Sequence, residues 1–124
     1  MSQTTKPRKV LVVDDDPVIR DMMVDILDLE GYPIRVVRNG YEALQLLRSE
    51  DNYLVFLDLM MPGLSGKEVC EILNAEPQLR SRHVIVLMSA MEKLDEAQAL
   101  HVDAVMSKPF VVEDVVSVIE PYMR

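Results

Sequence analysis

Acidic, hydroxyl and lysine side chains follow four of the β-branched runs in this sequence. In chain order they are Asp14 and Asp15 after the first run, Asp58 after the third, Ser89 after the fourth and Lys108 after the fifth. If the runs are parallel strands, their carboxyl ends meet at one sheet edge, where such folds bind ligands. Three carboxylates gathered there repel one another unless a cation neutralises them, and their oxygens suit Mg²⁺. Phosphoryl transfer needs this set: Asp58 as nucleophile, with Lys108 and Ser89 stabilising phosphoryl oxygens.

Taken singly, each of these residues has a simpler explanation. An Asp run before a proline is most often a helix N-cap, and we assign Asp16, before Pro17, that role. A lone Asp or Ser at a strand end usually belongs to a loop or a cap, and a lysine before a proline is usually solvated. The functional interpretation therefore depends on the combination, in which four strand ends each contribute a group that one reaction requires.

Five strand–helix units are predicted to position these residues. Continuous apolar runs of strand length predict the strands, and helical spacing with Asp, Gly or Pro at the ends predicts the helices. The predicted strands are 9–14, 34–37, 53–57, 83–88 and 104–106, and the predicted helices are 17–30, 40–48, 66–73, 93–100 and one starting near 112. This alternation predicts an α/β fold with a doubly wound parallel sheet. We expect a short last helix, because Pro121 cannot donate a backbone hydrogen bond.

The composition narrows the range of functions. Thirteen Lys and Arg against 21 Asp and Glu give a net charge of −8 over 124 residues, which argues against a nucleic-acid or anionic-membrane surface. The single Cys70 cannot form an internal disulfide, and no apolar run approaches the roughly 20 residues of a membrane span. We therefore predict a cytoplasmic protein, with a flexible lead-in over 1–7 and one domain over 8–124.

Four stretches of the sequence share an order and spacing with one known family. VLVVDDDPVIR, VFLDLMMPGLSG, VLMSA and MSKPF together resemble the receiver domain of bacterial two-component response regulators, of the chemotaxis-regulator type. The resemblance extends over about residues 9–123. It implies a (βα)5 flavodoxin-like sheet with strand order 2-1-3-4-5. It also implies a phosphorylation-dependent switch that receives its phosphoryl group from a sensor histidine kinase or a histidine phosphotransfer protein.

The resemblance assigns the acidic residues their roles. Asp58 matches the phosphoacceptor, so the product is an aspartyl phosphate. Asp14 and Asp15 match the acidic pair that holds Mg²⁺, with Asp58 and the backbone carbonyl of Met60 as further ligands. Such a protein catalyses only its own phosphorylation and dephosphorylation, and is not a turnover enzyme.

The switch residues agree with the family at two positions and depart from it at a third. Ser89 matches the hydroxyl that moves toward the phosphoryl group, and Lys108 matches the lysine that pairs with it, before a bond to Pro109 that is usually cis. Val105 stands where the family usually has Tyr or Phe, so the usual rotation of an aromatic ring is unavailable. The resemblance places the output surface, for an effector domain or protein, on helix four, strand five and helix five of the predicted order.

Met60 and Met91 lie two residues after Asp58 and Ser89. In receivers, the side chains at these two positions flank the path of the water that hydrolyses the acyl phosphate. Two bulky apolar side chains there hinder that water and give it no orienting hydrogen bond. We therefore hypothesise slow self-dephosphorylation.

Two other functions are kept as alternatives. The change to Val105 weakly favours a degenerate receiver that acts as an interaction module without phosphate, but the retention of all three acids, the hydroxyl and Lys108 weighs against it. A Mg²⁺-dependent phosphatase would use Asp58 transiently, but such enzymes usually carry a second acid where this chain has Met60. Receivers often dimerise, so a homodimer remains an alternative. The sequence leaves open the cognate kinase, the regulated process, and whether the domain stands alone or comes from a longer protein.

Overall fold

The computed structural model describes residues 9–49 and 51–123, and the predicted lead-in over 1–7 lies outside them. Five parallel strands form one sheet in the order β2-β1-β3-β4-β5, which confirms the predicted fold class and strand order. The strands are β1 Lys9–Val13, β2 Ile34–Val37, β3 Tyr53–Asp58, β4 Val84–Ala90 and β5 Ala104–Lys108. The α-helices are α1 Pro17–Leu29, α2 Gly40–Leu47, α3 Gly66–Asn74, α4 Pro77–Arg80, α5 Leu94–Gln98 and α6 Val112–Met123.

The sheet is covered on both faces, as its continuous apolar strands predict. Side chains at alternate strand positions enter two separate hydrophobic clusters. One cluster joins the strands to α2, α3 and α5 and includes Leu11, Val55 and Leu87. The other joins them to α1 and α6 and includes Val12 and Phe56. The strands are thereby held rigidly from both sides, and their carboxyl ends are left free to carry polar groups.

Side-chain caps fix where the helices begin, and therefore where each strand must end. The Asp16 carboxylate accepts a hydrogen bond of 2.9 Å from the Val18 backbone N–H, which confirms its N-cap role, and Pro17 opens α1. Ser65 and Glu68 form a reciprocal capping box at the start of α3. Both caps stand directly beside the loops that follow β1 and β3.

The structure corrects several element boundaries. The last helix was predicted to be short, and this is wrong, because α6 continues through Pro121 to Met123. Pro121 lies in the final turn, so its missing N–H leaves only one carbonyl unbonded, and the Tyr122 hydroxyl bonds the Asp103 carbonyl at 3.3 Å. The short α4 was not predicted, and the predicted helix 93–100 is a 3-10 turn followed by the five-residue α5.

A buried histidine joins three elements at the amino-terminal edge of the sheet. His83 is 4% exposed, its Nδ1 accepts a 3.1 Å hydrogen bond from the Tyr53 backbone N–H, and its Nε2 lies 2.8 Å from the Leu47 carbonyl oxygen. Nδ1 can accept a hydrogen bond only when it is unprotonated. Nε2 therefore carries the proton and donates a hydrogen bond to the Leu47 carbonyl oxygen. Burial lowers the pKa of His83, the Leu47 hydrogen bond opposes this, and the charges of two nearby arginines add to the lowering.

We expect this histidine to make the domain less stable in mild acid. Because the folded pKa lies below the unfolded value near 6.5, the unfolded chain binds the proton first, and the contribution of His83 is lost as pH falls through that range. Urea unfolding of wild type and His83→Gln should therefore give a stability difference that shrinks between pH 7.5 and 5.5. A difference that does not change with pH would contradict this account.

None of the helices in the described part of the chain has the length and apolar character that crossing a lipid bilayer requires.

Candidate functional site

The register of the sheet brings the strand-end residues together. Val13 on β1 lies beside Leu57 on β3, so the next residues, Asp14 and Asp58, emerge next to each other. At the other side of the sheet Ala90 pairs with Lys108, which places the lysine at the same edge. Three elements that are far apart in sequence thus deliver two acids and one base to a common point, as the sequence predicted.

Lys108 forms an ion pair with both acids. Its Nζ lies 3.0 Å from Asp14 Oδ2 and 3.2 Å from Asp58 Oδ1. Burial alone would lower the pKa of the Lys108 ammonium, but the hydrogen bond to Asp14 and the charges of Asp58 and Asp14 outweigh burial and raise it. The lysine therefore remains charged and bridges the two carboxylates. Its peptide bond to Pro109 is cis, which confirms the expectation from the resemblance.

Asp14 is completely buried and held from several sides. Its Oδ1 accepts a 2.9 Å hydrogen bond from the Asp16 backbone N–H, while Oδ2 accepts from Lys108. The Arg20 guanidinium donates to the Asp14 backbone carbonyl at 2.7 Å. Arg20 was not among the predicted site residues, and its only signal in the sequence is its place in the first turns of α1. These contacts fix the position of the Asp14 carboxylate in advance of any ligand.

The surroundings of Asp58 raise the pKa of its carboxyl group. Burial first, and repulsion from Asp14 second, raise the pKa of the Asp58 carboxyl from 3.8 to about 6, against the opposing effects of Lys108 and of a hydrogen bond from the Met60 backbone. The side chain is only 10% exposed, so water compensates little of this cost. The ionised form of Asp58 is therefore held under electrostatic stress that an incoming positive charge would relieve.

The loop after Asp58 turns back tightly onto the strand end. The Gly66 N–H donates to the Leu59 carbonyl at 3.0 Å, and an added Cβ on Gly66 would lie 2.2 Å from the Asp58 backbone oxygen. Only a residue without a side chain permits this approach. The start of α3 is thus packed directly against the backbone of Asp58 and determines where its carboxylate stands.

The three acids have the arrangement that a divalent cation needs. One carboxylate oxygen from each of Asp14, Asp15 and Asp58 lies within 4.8 Å of the others, with Asp15 exposed and the other two buried. All the donors are hard oxygens, which fit Mg²⁺ and leave room for water or phosphate oxygens. The Lys108 ammonium can balance only one of these three negative charges, so a divalent cation would compensate the rest, and the residues present fit the metal that the resemblance implies. The Met60 backbone carbonyl remains a predicted further ligand.

Ser89 lies near the carboxyl end of β4, one residue before the end of the strand. It was predicted to follow β4, whereas it lies inside the longer observed strand, opposite Ser107 on β5. The Ser89 side chain is buried, and its hydroxyl donates to the Ala90 carbonyl at 3.0 Å. Val105 is half-buried on β5 and packs against the cluster that contains Leu87. The hydroxyl must therefore leave the Ala90 carbonyl before it can donate a hydrogen bond to another group.

With this geometry established, comparison with known proteins identifies the family. The family model described as "Response regulator receiver domain" matches residues 10–120. The chain belongs to this family. The receiver domain that the four sequence motifs predicted is thereby confirmed, together with its CheY-like fold.

Two solved structures and one curated relative illustrate how similar other receiver domains are. The chemotaxis protein CheY4 of Vibrio cholerae is 26% identical with a TM-score of 0.78, covering 94% of this chain and 99% of that one. The receiver domain of NtrX from Brucella abortus is 29% identical with a TM-score of 0.79, covering 93% and 98%. The DNA-binding response regulator MtrA of Mycolicibacterium smegmatis is 32% identical over 122 residues, covering 97% of this chain and 52% of that protein. The receiver domain thus spans about half the length of the curated relatives it matches.

Proposed function

We propose that this receiver domain is a phosphorylation-dependent switch of a two-component phosphorelay, with Asp58 as phosphoacceptor and Mg²⁺ as cofactor. The observation that carries the proposal is the arrangement around Asp58. Its carboxylate lies 3.2 Å from a charged Lys108, and one of its oxygens lies within 4.8 Å of a carboxylate oxygen of each of Asp14 and Asp15. A receiver domain of a two-component system operates in the cytoplasm, where a sensor histidine kinase or a histidine phosphotransfer protein supplies the phosphoryl group.

The residues divide the transfer step among them. An Asp58 carboxylate oxygen attacks phosphorus, and the bond from phosphorus to the donor imidazole nitrogen breaks with its electron pair returning to the ring. Lys108 is already within hydrogen-bond distance of Asp58 and neutralises charge on the phosphoryl oxygens. Asp14, Asp15 and Asp58 would hold Mg²⁺, which when bound would supply further positive charge to those oxygens. The product is the mixed anhydride of aspartate and phosphate.

The readout follows from what the new group displaces. The phosphoryl oxygens on Asp58 compete with the Asp14 carboxylate for Lys108, and they offer acceptors to the Ser89 hydroxyl, which donates to the Ala90 carbonyl in this structure. Movement of Ser89 and Lys108 shifts the ends of β4 and β5. Because Val105 has no ring to rotate, the change is passed to a partner through α5, β5 and the adjoining face of α6.

Intact-mass measurement with Mg²⁺ and acetyl phosphate tests the proposal. A switch gives a long-lived adduct of one phosphoryl group that does not form when a chelator has removed Mg²⁺ beforehand. Rapid multiple turnover of acetyl phosphate without a persistent adduct would instead establish a phosphatase. No adduct under any condition would overturn the proposal in favour of an interaction module that does not take phosphate.

We expect Met60→Asn to shorten the lifetime of the adduct. An amide at this exposed position can orient the attacking water, which the thioether cannot, and one such hydrogen bond corresponds to a roughly fivefold faster decay. Decay is followed by intact mass after the phosphodonor is removed. Leu29→Asn is the matched control, since Leu29 is 87% exposed at the far end of α1 and should decay like wild type. An unchanged or slower decay in Met60→Asn would contradict the expectation.

A further inference from the structure

The exposed methionines of the described chain are concentrated at one place. Met60 and Met91 are 59% and 68% exposed, and no other described methionine is among the exposed large hydrophobic residues. Two more are half-buried, and the remaining described methionines are in the hydrophobic clusters: Met23, Met61, Met88 and Met106. The two thioethers that solvent reaches most easily therefore belong to the loops after β3 and β4.

Both loops leave the sheet edge at which Asp58 ends β3. Met60 is the second residue after Asp58. Asp58 pairs in register with Met88 on β4, and Met91 begins the 3-10 turn that follows this strand directly. Met60 and Met91 thus follow two adjacent strands at the edge that carries the phosphoacceptor.

We propose that Met60 and Met91 are sites of sulfoxidation by peroxides, and that their oxidation shortens the life of the phosphoryl group on Asp58. The second part rests on the proposed function. The peroxide transfers one oxygen to the thioether sulfur: its O–O bond breaks, an S–O bond forms, and the sulfur loses two electrons. Hydrogen peroxide leaves as water, and an alkyl hydroperoxide leaves as the alcohol. A dithiol-dependent sulfoxide reductase reverses the reaction.

The other sulfur atoms compete poorly for the oxidant. Thiols react with peroxide as thiolates, but Cys70 is 2% exposed and burial raises its pKa to about 12, so thiolate is scarce at neutral pH. A thioether needs no deprotonation, only access. Peroxide therefore modifies the two loop methionines before Cys70 or the methionines packed in the clusters.

Oxidation reverses the chemical character of these two side chains. A thioether is apolar and orients water poorly, whereas the sulfoxide oxygen is a strong hydrogen-bond acceptor. Hydrolysis requires a water to attack phosphorus while the bond to the Asp58 oxygen breaks and the carboxylate leaves. A sulfoxide that accepts a hydrogen bond from that water speeds the step about fivefold, the factor that one hydrogen bond in the transition state is worth. Peroxide thus acts as a reset signal.

Two measurements on the whole chain test this. Protein treated with hydrogen peroxide is digested and mapped by mass spectrometry, and Met60 and Met91 should gain oxygen ahead of the other described methionines. Treated and untreated protein are then phosphorylated with Mg²⁺ and acetyl phosphate, the donor is removed, and decay of the adduct is followed. Decay should be about fivefold faster after treatment, and methionine sulfoxide reductases for both epimers should restore the slower rate.

A variant carrying Met60→Leu and Met91→Leu provides the control. It keeps apolar bulk at both positions without sulfur, so peroxide should leave its own decay rate unchanged. Equal decay of oxidised and untreated wild type, or oxidation with no preference for these two residues, would overturn the inference while leaving the proposed function intact. Absence of any adduct on untreated protein would overturn both. Faster decay in the peroxide-treated Leu variant would also overturn it, since the effect would then arise elsewhere.

Discussion

Asp58→Asn should take up no phosphoryl group from acetyl phosphate in the presence of Mg²⁺, and should at the same time be more stable than wild type. The amide is not a nucleophile, so the acyl phosphate cannot form. Burial and the neighbouring Asp14 make the ionised Asp58 costly at neutral pH, as its pKa near 6 indicates, and a neutral side chain of the same shape avoids that cost. We expect a gain of about 1–2 kcal/mol in unfolding free energy without Mg²⁺.

Asp16→Asn is the matched control for this variant. It makes the same chemical change in the acidic run after β1, but Asp16 is exposed and its side chain caps α1, a role that Asn fills equally well. Intact mass and urea unfolding should show a normal adduct and nearly unchanged stability. An adduct that persists in Asp58→Asn would place the acceptor elsewhere, and a loss of stability would contradict the electrostatic account.

Gly66→Ala should destabilise the domain by more than about 3 kcal/mol, because there is no space for the methyl group. Its Cβ would meet the Asp58 backbone oxygen at 2.2 Å and the Leu59 Cα at 2.9 Å, and these are backbone atoms that no rotamer change can move. Relief requires α3 to move away from the end of β3. We therefore also expect the Asp58 carboxylate to be displaced and phosphorylation to slow in whatever fraction remains folded.

Gly31→Ala is the control variant that distinguishes the steric clash at Gly66 from the cost of replacing a glycine whose backbone freedom is needed. Gly31 follows α1 with φ +82 and has no atom within 4 Å of the added methyl, so alanine there meets only the left-handed backbone penalty of about 1 kcal/mol. Urea unfolding of both variants should rank Gly66→Ala as much the less stable, while Gly31→Ala phosphorylates normally. Equal stability of Gly66→Ala and wild type would show that the close approach is not tight.

The candidate site was largely predictable because strand ends in a parallel sheet converge whatever the details of packing. Asp14, Asp58 and Lys108 each follow an apolar run. The sheet register then places the Lys108 Nζ within 3.2 Å of a carboxylate oxygen of each acid. Asp15 was predicted on the same ground. What the pattern could not provide is the register itself, which depends on the hydrogen-bond ladders between strands.

Other features depend on contacts that leave no periodic trace in the sequence. Ser89 was expected after β4 but lies within it, because β4 continues as far as its partner β5 allows. Arg20 reaches back to a carbonyl through a long side chain that could equally have been solvated. His101 adopts φ +58, a left-handed conformation that glycine favours; histidine is enriched there among other residues, but too weakly for its type alone to predict it. In each case tertiary contacts, and not local propensity, decide the outcome.

The strand order also implies that some site residues are held more firmly than others. Asp14 follows β1 and Asp58 ends β3, and both strands have a hydrogen-bonded neighbour on either side, whereas Lys108 ends β5, which pairs with β4 alone. Displacing an edge strand breaks the hydrogen bonds to one neighbour and not to two, so β5 moves at a lower free-energy cost than β1 or β3. When the charge at Asp58 changes, we expect Asp14 and Asp58 to stay in place and β5, with Lys108, to move. We therefore expect the displacement to be largest at the β5 edge of the sheet, where a partner can bind.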